Sequence, residues 1–272
     1  MNIFTTLLLQ PLANGLILFY RVLGQNMGLA VIAFSLFLRF ILNPLTKPYM
    51  ESMSKMKELA PELEKLKERH KGDKIKIAQA QADFYKEKKI NPGAGCLPYL
   101  LQIVILIAFF NVFTITLSSP ANTTENFNKL LYSPLKFSGN ETLNTRFLYF
   151  DVTRPDTFAL PGITFNLPGP LLLLAALAQF ASAKMMAPYT KTQGAVAKKT
   201  PGKEDDIQVA MQKSMVYTFP VITILIGMKF ASGLALYWLV FSLSQVYQQA
   251  RTQGWGGLTP LLLRFKLLKP TP

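Results

Sequence analysis

Five stretches of the chain are apolar over roughly the 20 residues a helix needs, at about 1.5 Å rise per residue, to cross a hydrocarbon core of about 30 Å. They lie near Met27 to Leu45, Leu97 to Leu117, Phe165 to Ala187, Met215 to Lys229 and Gly233 to Gln249. The fourth is short and reads with the fifth as a hairpin turning near Lys229 to Gly233. Between the first two, Met50, Met53, Met56, Leu59, Leu63 and Leu66 recur at spacings of three and four, with Lys and Glu on the other faces. That period predicts an amphipathic helix. A second, from about Asp73 to Lys88, presents Ile75, Ala78, Ala82 and Tyr85, and Gly72 is placed to end the first. The two stripes either pack on each other or leave the flexible, polarizable methionines partly exposed as a contact surface.

The stretch Met1 to Gly24 is a signal peptide, an extra span or an interfacial helix. Pro11, Asn14 and Gly15 interrupt its apolar run, and no basic residue precedes Leu7. Arg21 with Phe19 and Tyr20 suits the headgroup region, which favours an interfacial helix on the outer face.

Half of the residues are hydrophobic and the formal net charge is +14. In a soluble protein that balance would suggest nucleic acid, but most of the basic residues lie in the loops of a membrane pattern. The loop Lys47 to Pro92 carries twelve Lys and Arg, and the tail carries Arg251, Arg264, Lys266 and Lys269 with no acid. Ser118 to Thr164 carries only Lys129, Lys136, Arg146 and Arg154, balanced by four acids. The asymmetry puts the first loop, the loop Pro188 to Gln212 and the C-terminus in the cytoplasm, with the N-terminus outside. Five spans satisfy that parity. The chain divides accordingly into an interfacial segment 1–26, a first transmembrane helix 27–46, a cytoplasmic hairpin 47–94, a second transmembrane helix 95–117 and an extracytoplasmic segment 118–164. A third transmembrane helix 165–187, a cytoplasmic loop 188–212, the fourth and fifth transmembrane helices 213–250 and a basic tail 251–272 follow. One cysteine, Cys96, and one histidine, His70, exclude zinc chemistry and an internal disulfide.

Arg39 sits inside the first span with no other charge near it and no intramembrane carboxylate to neutralise it. An ionisable group at that depth costs several kcal/mol unless it faces water or a partner, which makes it a functional candidate. Counted from the cytoplasmic ends of their helices, Arg39, Gln102 and Gln179 each lie roughly 10 Å deep. Tyr217, Thr218, Ser242 and Gln245 fall in the same halves, whereas Ile105 to Phe110 and Leu171 to Leu174 make the outer halves apolar. Each polar residue other than Arg39 has an ordinary reading as an interhelical hydrogen-bond partner. Tyr237 and Trp238 read as packing or interface aromatics.

The run Leu38-Arg39-Phe40-Ile41-Leu42-Asn43-Pro44-Leu45-Thr46, followed by Met53-Ser54-Lys55-Met56 and Leu59-Ala60-Pro61-Glu62-Leu63, resembles the first core helix and cytoplasmic hairpin of the YidC/Oxa/Alb membrane protein insertases. The resemblance continues through Lys89-Ile90-Asn91-Pro92 and Gly95-Cys96-Leu97-Pro98-Tyr99-Leu100-Leu101-Gln102. It ends with Gly233-Leu234-Ala235-Leu236-Tyr237-Trp238 and Gln245, Gln248 and Gln249. The chain departs from the family pattern at Ala231-Ser232, where a proline is usual, at Phe241-Ser242, where Ser-Asn is usual, at Val104, where a proline is common, and in its longer segment Ser118 to Phe165.

The resemblance implies an all-α membrane protein of five transmembrane helices around a polar groove open to the cytoplasm, plus a cytoplasmic helical hairpin, in the bacterial plasma (inner) membrane. It implies an insertase and chaperone for nascent membrane proteins, with no cofactor and no catalytic chemistry. Arg39, Gln102, Gln179, Tyr217, Thr218, Ser242 and Gln245 are then the groove residues. Met50, Met53, Met56, Lys57, Arg251, Arg264, Lys266 and Lys269 are the docking residues, with the ribosome as an expected partner beside the lipid bilayer, the Sec translocon and the signal recognition particle pathway. The sequence has no P-loop and no nucleophile beside a base. A polytopic channel or transporter with an intramembrane arginine is the alternative; it would call for internal repeats or a polar path into the outer halves.

Overall fold

The computed structural model describes residues 2–70, 73–89, 97–117, 122–138, 141–162, 164–186 and 214–265. They are mostly helical, with several apolar helices, as in an all-α membrane protein. By length and composition, Met27–Pro48 is long and apolar enough to cross a membrane, while Ile103–Leu117, Pro170–Met185 and Val216–Gly227 are shorter apolar helices.

A π-helical turn, Thr5–Leu9, leads into α1 (Gln10–Val22), which buries Leu12, Ala13, Leu16, Ile17 and Tyr20 along one face. Gly24 and Gln25, both at positive φ, reverse the chain into α2 (Met27–Arg69). Asn26 caps α2, its side-chain oxygen accepting from the Leu29 amide at 3.1 Å, so one of the helix's unpaired N–H groups is satisfied. Where the sequence pattern suggests a span followed by a separate cytoplasmic helix, α2 runs unbroken for 43 residues through Pro44, Pro48 and Pro61. Each proline removes one helical hydrogen bond. Around the first two, Phe40, Asn43, Pro44 and Pro48 are exposed, so the lost bonds disturb no packed core.

Asp73 caps α3 (Lys74–Glu87) by accepting from the Lys76 amide at 3.1 Å, and that bond holds its carboxyl below the usual range. The helix returns along α2 with Phe84 buried and Lys88 paired to Glu62 at 3.1 Å. Both partners of that pair are partly exposed, so it contributes no more than about 1 kcal/mol. Gly72 lies outside the described residues.

After α4 (Leu97–Leu117) and the short α5 (Thr123–Asn128), the chain makes two antiparallel hairpins. Strand β1 (Arg146–Phe147) pairs with β2 (Phe150–Asp151), and β3 (Thr157–Phe158) with β4 (Leu167–Pro168). They are small additions of strand to the helical fold. Helix α6 (Pro170–Met186) therefore starts five residues later than the apolar run beginning at Phe165 suggests. Leu167 and Pro168 are taken by the hairpin, and Pro170, with its fixed φ and missing N–H, suits a helix start. A π-helical turn, Ser214–Thr218, then α7 (Phe219–Gly227) and α8 (Ser232–Gln253) follow. Gly254 at positive φ ends α8 ahead of a 3₁₀ turn and α9 (Thr259–Arg264).

The core is gathered at one end of the bundle, where α2, α6 and α8 begin. It joins Leu16 and Ile17 of α1, Met27, Val31 and Phe34 of α2, Phe109, Val112 and Phe113 of α4, Phe127, Phe150 and Val152 of the intervening segment, and Leu172 and Tyr237 of α6 and α8. Phe109 stacks on Tyr237 with ring centroids 4.4 Å apart, and Phe34 and Phe113 lie 6.0 and 5.8 Å from Phe109. Among the described residues of α2, Phe34 is the last fully buried apolar side chain, and Leu38 and Leu42 beyond it are half-buried against the core.

Residues 144 to 156 supply acceptors to the starts of three helices. The Asn144 carbonyl receives the Met27 amide at 3.0 Å; the Arg154 and Val152 carbonyls receive the Ser232 and Gly233 amides at 2.7 and 3.0 Å. At α6 the buried Asp156 accepts the Leu172 amide through its carboxylate at 2.9 Å and the Gly169 amide through its carbonyl at 2.7 Å. The Tyr149 hydroxyl receives the Leu171 amide at 2.7 Å and donates to Asp156 at 3.1 Å. Burial pushes the Tyr149 phenol up to about 12, with the Leu171 amide opposing and Asp156 reinforcing the shift. Burial works against ionisation of Asp151 too, but hydrogen bonds from the Thr153 hydroxyl and amide hold its carboxyl below the usual range. Helix N-termini in low dielectric have no water to take their free N–H groups, so this segment does that work. Gly169 is required there, since a Cβ would fall 2.1 Å from the Asp156 carboxylate.

Candidate functional site

Arg39 lies twelve residues into α2, about 18 Å along the helix from Met27 and beyond Phe34, the last fully buried apolar side chain described on it. It is half-buried. Its guanidinium donates to the Gln248 side-chain oxygen and stands 4.8 Å from the centre of the Phe241 ring. Gln248 in turn donates to Asn43 at 2.5 Å. Phe241, Gln245 and Gln248 occupy positions i, i+4 and i+7 of α8 and so share one helical face, while Arg39 and Asn43, four apart on α2, share another. The site is thus a seam between α2 and α8. Among the described residues, no carboxylate is within ion-pair distance of Arg39. A guanidinium has five donors, and the contacts seen leave the group charged, stacked on one face and partly open.

The other residues named from sequence separate into groups. Gln179 of α6 accepts from the Thr223 hydroxyl of α7 at 2.7 Å, an interhelical bond that matches its ordinary packing reading. Tyr217 is exposed, receives a hydrogen bond from Lys184 at 3.1 Å and packs on Phe180, with ring centroids 5.8 Å apart, so its contacts tie the π-helical turn before α7 to α6. Thr218 is exposed beside it, Ser242 is buried on α8, and Gln245 is half-buried on the Arg39-facing side. Gln102 lies on α4, but its side chain is outside the described residues, as are those of Met50, Met53, Met56 and Lys57 on α2. Arg251 is exposed over the Tyr247 ring at 5.4 Å, and Arg264 is exposed on α9. Lys266 and Lys269 lie outside the described residues.

Three residues that touch Arg39, directly or through one bond, are absent from the sequence-derived site: Asn43, Phe241 and Gln248. Phe241 is one of the departures from the family pattern, which was the signal available for it. Nearby, Gln249 is almost wholly buried, and neither polar atom of its side chain has a hydrogen-bond partner among the described residues. An unpaired buried amide costs about 1–3 kcal/mol.

Comparison with known proteins places the chain. The family model described as 60Kd inner membrane protein matches residues 18–256. The chain belongs to that family, the YidC/Oxa1 family. It is 32% identical over 247 residues to a protein named membrane protein insertase YidC from Caulobacter vibrioides (strain NA1000 / CB15N), a match covering 88% of this chain and 35% of that protein. A protein of the same name from Fusobacterium nucleatum is 32% identical over 224 residues, 82% of this chain and 84% of its own length. One from Shewanella sp. (strain MR-7) is 33% identical over 234 residues, 86% of this chain and 35% of its own length. The chain therefore spans about a third of the Caulobacter and Shewanella proteins and most of the Fusobacterium one. The matched region, residues 18–256, includes Arg39, Asn43, Phe241 and Gln248.

Proposed function

We propose that this YidC/Oxa1-family chain is a membrane protein insertase, with five spans forming a hydrophilic groove that contains Arg39 and opens to the cytoplasm and to lipid. The observation that carries the reading is an arginine on an apolar helix, held by a glutamine and a phenyl ring rather than by a carboxylate. Its charge stays available to a substrate. Moving an acidic residue across the hydrocarbon costs about 3 kcal/mol, and a hydrated cation midway across lowers that cost for the translocated tail. The apolar helix that follows then partitions into lipid. The membrane potential assists acidic tails, so the chemistry calls on no nucleotide or metal. The aromatic cluster of Phe34, Phe109, Phe113 and Tyr237 across the other end of the bundle favours an insertase over a channel.

In this reading the N-terminus is outside and the C-terminus cytoplasmic, and α1 lies at the outer interface. The α2–α3 hairpin and the basic tail face nascent membrane proteins and the ribosome, with the Sec translocon and the signal recognition particle pathway as further partners. Arg39→Ala, reconstituted at normal levels, is expected to lower insertion of substrates with acidic translocated tails by about tenfold or more, the equivalent of about 1.4 kcal/mol. Arg39→Lys keeps the charge but loses the planar stacking on Phe241, so it retains some of the activity. Wild-type insertion of an acidic-tail panel by the alanine variant would remove Arg39 from the mechanism.

A further inference from the structure

The two hairpins between α5 and α6 carry large apolar side chains that face away from the protein. Leu148, at the tip of the first, is 83% exposed, and its φ of 52° is a conformation that glycine, asparagine or aspartate adopts more cheaply than a leucine. The Tyr149 ring beside it is largely exposed while its hydroxyl is pinned to the Leu171 amide. On the second hairpin and its loop, Phe158, Leu160 and Phe165 are exposed as well. Retaining a leucine at such a tip is understandable when the tip gains from being taken out of water.

The height of these residues follows from their bonds. Tyr149 meets the first turn of α6, and β4 runs directly into that helix. The helix is apolar from its first turn, Pro170 to Leu174, so in a bilayer that turn enters the acyl region and the residues bonded to it lie at the boundary with the headgroups. It exposes Leu173, Leu174 and Leu177, the surface a membrane helix turns to lipid. The hairpin patch continues that surface, and Arg146, exposed at the base of the tip, is placed to meet phosphate groups.

We propose that the two hairpins are a membrane anchor, with Leu148, Tyr149, Phe158 and Phe165 seated in the headgroup and upper acyl region of the leaflet next to the start of α6. The anchor fixes the height of the segment that caps α2, α6 and α8. It rests on the chain's being a membrane protein and is independent of the insertase reading.

The test uses the full chain in phosphatidylcholine vesicles, with Cys96→Ser and one introduced cysteine carrying an environment-sensitive fluorophore. The positions are Leu148→Cys, Phe165→Cys and, as an exposed site at the far end of α2 from the hairpins, Glu68→Cys. Lipids bearing a nitroxide near the headgroup should quench the probes at 148 and 165 several-fold more than lipids with the nitroxide deep in the chain, and their emission should be blue-shifted. The probe at 68 should behave as in water. Aqueous emission at 148 and 165 with quenching only by soluble iodide overturns the proposal, as does equal lipid quenching at all three positions. A second site at 165 keeps the test decisive if the strained position 148 tolerates substitution poorly.

Discussion

The two ends of the bundle are built on opposite principles. At the end where α2, α6 and α8 start, the helices are capped by residues 144 to 156, and a stack of aromatic rings fills the space between them. At the end toward which Arg39 points, α2 carries Pro44 and Pro48, and exposes Phe40, Ile41 and Leu45. There, among the described residues, α2 meets α8 through the thin seam of Arg39, Gln248 and Asn43, while α6 is tied to α7 and the π-helical turn before it by Gln179–Thr223 and Lys184–Tyr217. The difference between the ends therefore lies at α2, which is capped and packed at its start and held by few described bonds beyond Arg39. An insertase of the kind proposed needs that difference, because a substrate has to separate the helices at the loosely held end without opening a leak at the other.

The sharpest way to break the comparison is to untie the capped end. Asp156→Ala removes the buried acceptor of the Leu172 amide and the partner of Tyr149, leaving donors unpaired. It is expected to destabilise by about 3 kcal/mol, as lost buried, charged acceptors do. Thermal unfolding in detergent should show it as a large fall in midpoint. An unchanged midpoint would mean that the cap adds little and that the two ends do not differ in this way.

The open end is probed by Gln248→Glu. A carboxylate in place of the amide oxygen would pair with the Arg39 guanidinium, so its charge would no longer be available. Insertion of acidic-tail substrates should fall by about as much as in Arg39→Ala, roughly tenfold, with stability unchanged or raised. Normal insertion by a folded Gln248→Glu variant would show that Arg39 does not act through free charge.

A smaller effect is expected at Gln249. Gln249 has no partner among the described residues, and a leucine of similar size removes that unpaired polar group, so Gln249→Leu should stabilise by about 1–2 kcal/mol in the same melt. A loss of stability would indicate that the amide is bonded in the working protein.

Much of this was legible in the sequence. Apolar run length and helical periodicity marked where helices lie, though not that the first of them runs unbroken from Met27 to Arg69, and the charge of Arg39 in an apolar run singled it out without any structure. What was not legible depends on long-range geometry. Hydropathy takes Phe165 and Leu167 into the span, because an apolar residue just before a helix reads the same whether it sits in a bend, a strand or the helix itself. Pro168, Gly169 and Pro170 were the local signs of a later start. The capping role of Asp156 needs a carboxylate to meet amides sixteen residues on, which no spacing rule predicts. Gln179 shows the converse: a polar residue in the right half of its helix whose observed bond is to a neighbouring helix. Two departures from the family pattern turned out to be structural, since Phe241 lies against Arg39 and the Ser232 hydroxyl donates to the Asp151 carbonyl at 2.7 Å.

The most direct test of the central claim is thiol accessibility in a Cys96→Ser background. Single cysteines at Asn43 and Gln248, beside Arg39, and at Ile107 and Leu172, in the other half of the bundle, are treated with a membrane-impermeant thiol reagent added to one side at a time. A hydrated thiol ionises and reacts, whereas one in lipid or core does not. The account predicts reaction at 43 and 248 from the cytoplasmic side only, and none at 107 and 172 from either side. Reaction at 43 and 248 from the outside, or at any of the four from both sides, would contradict it.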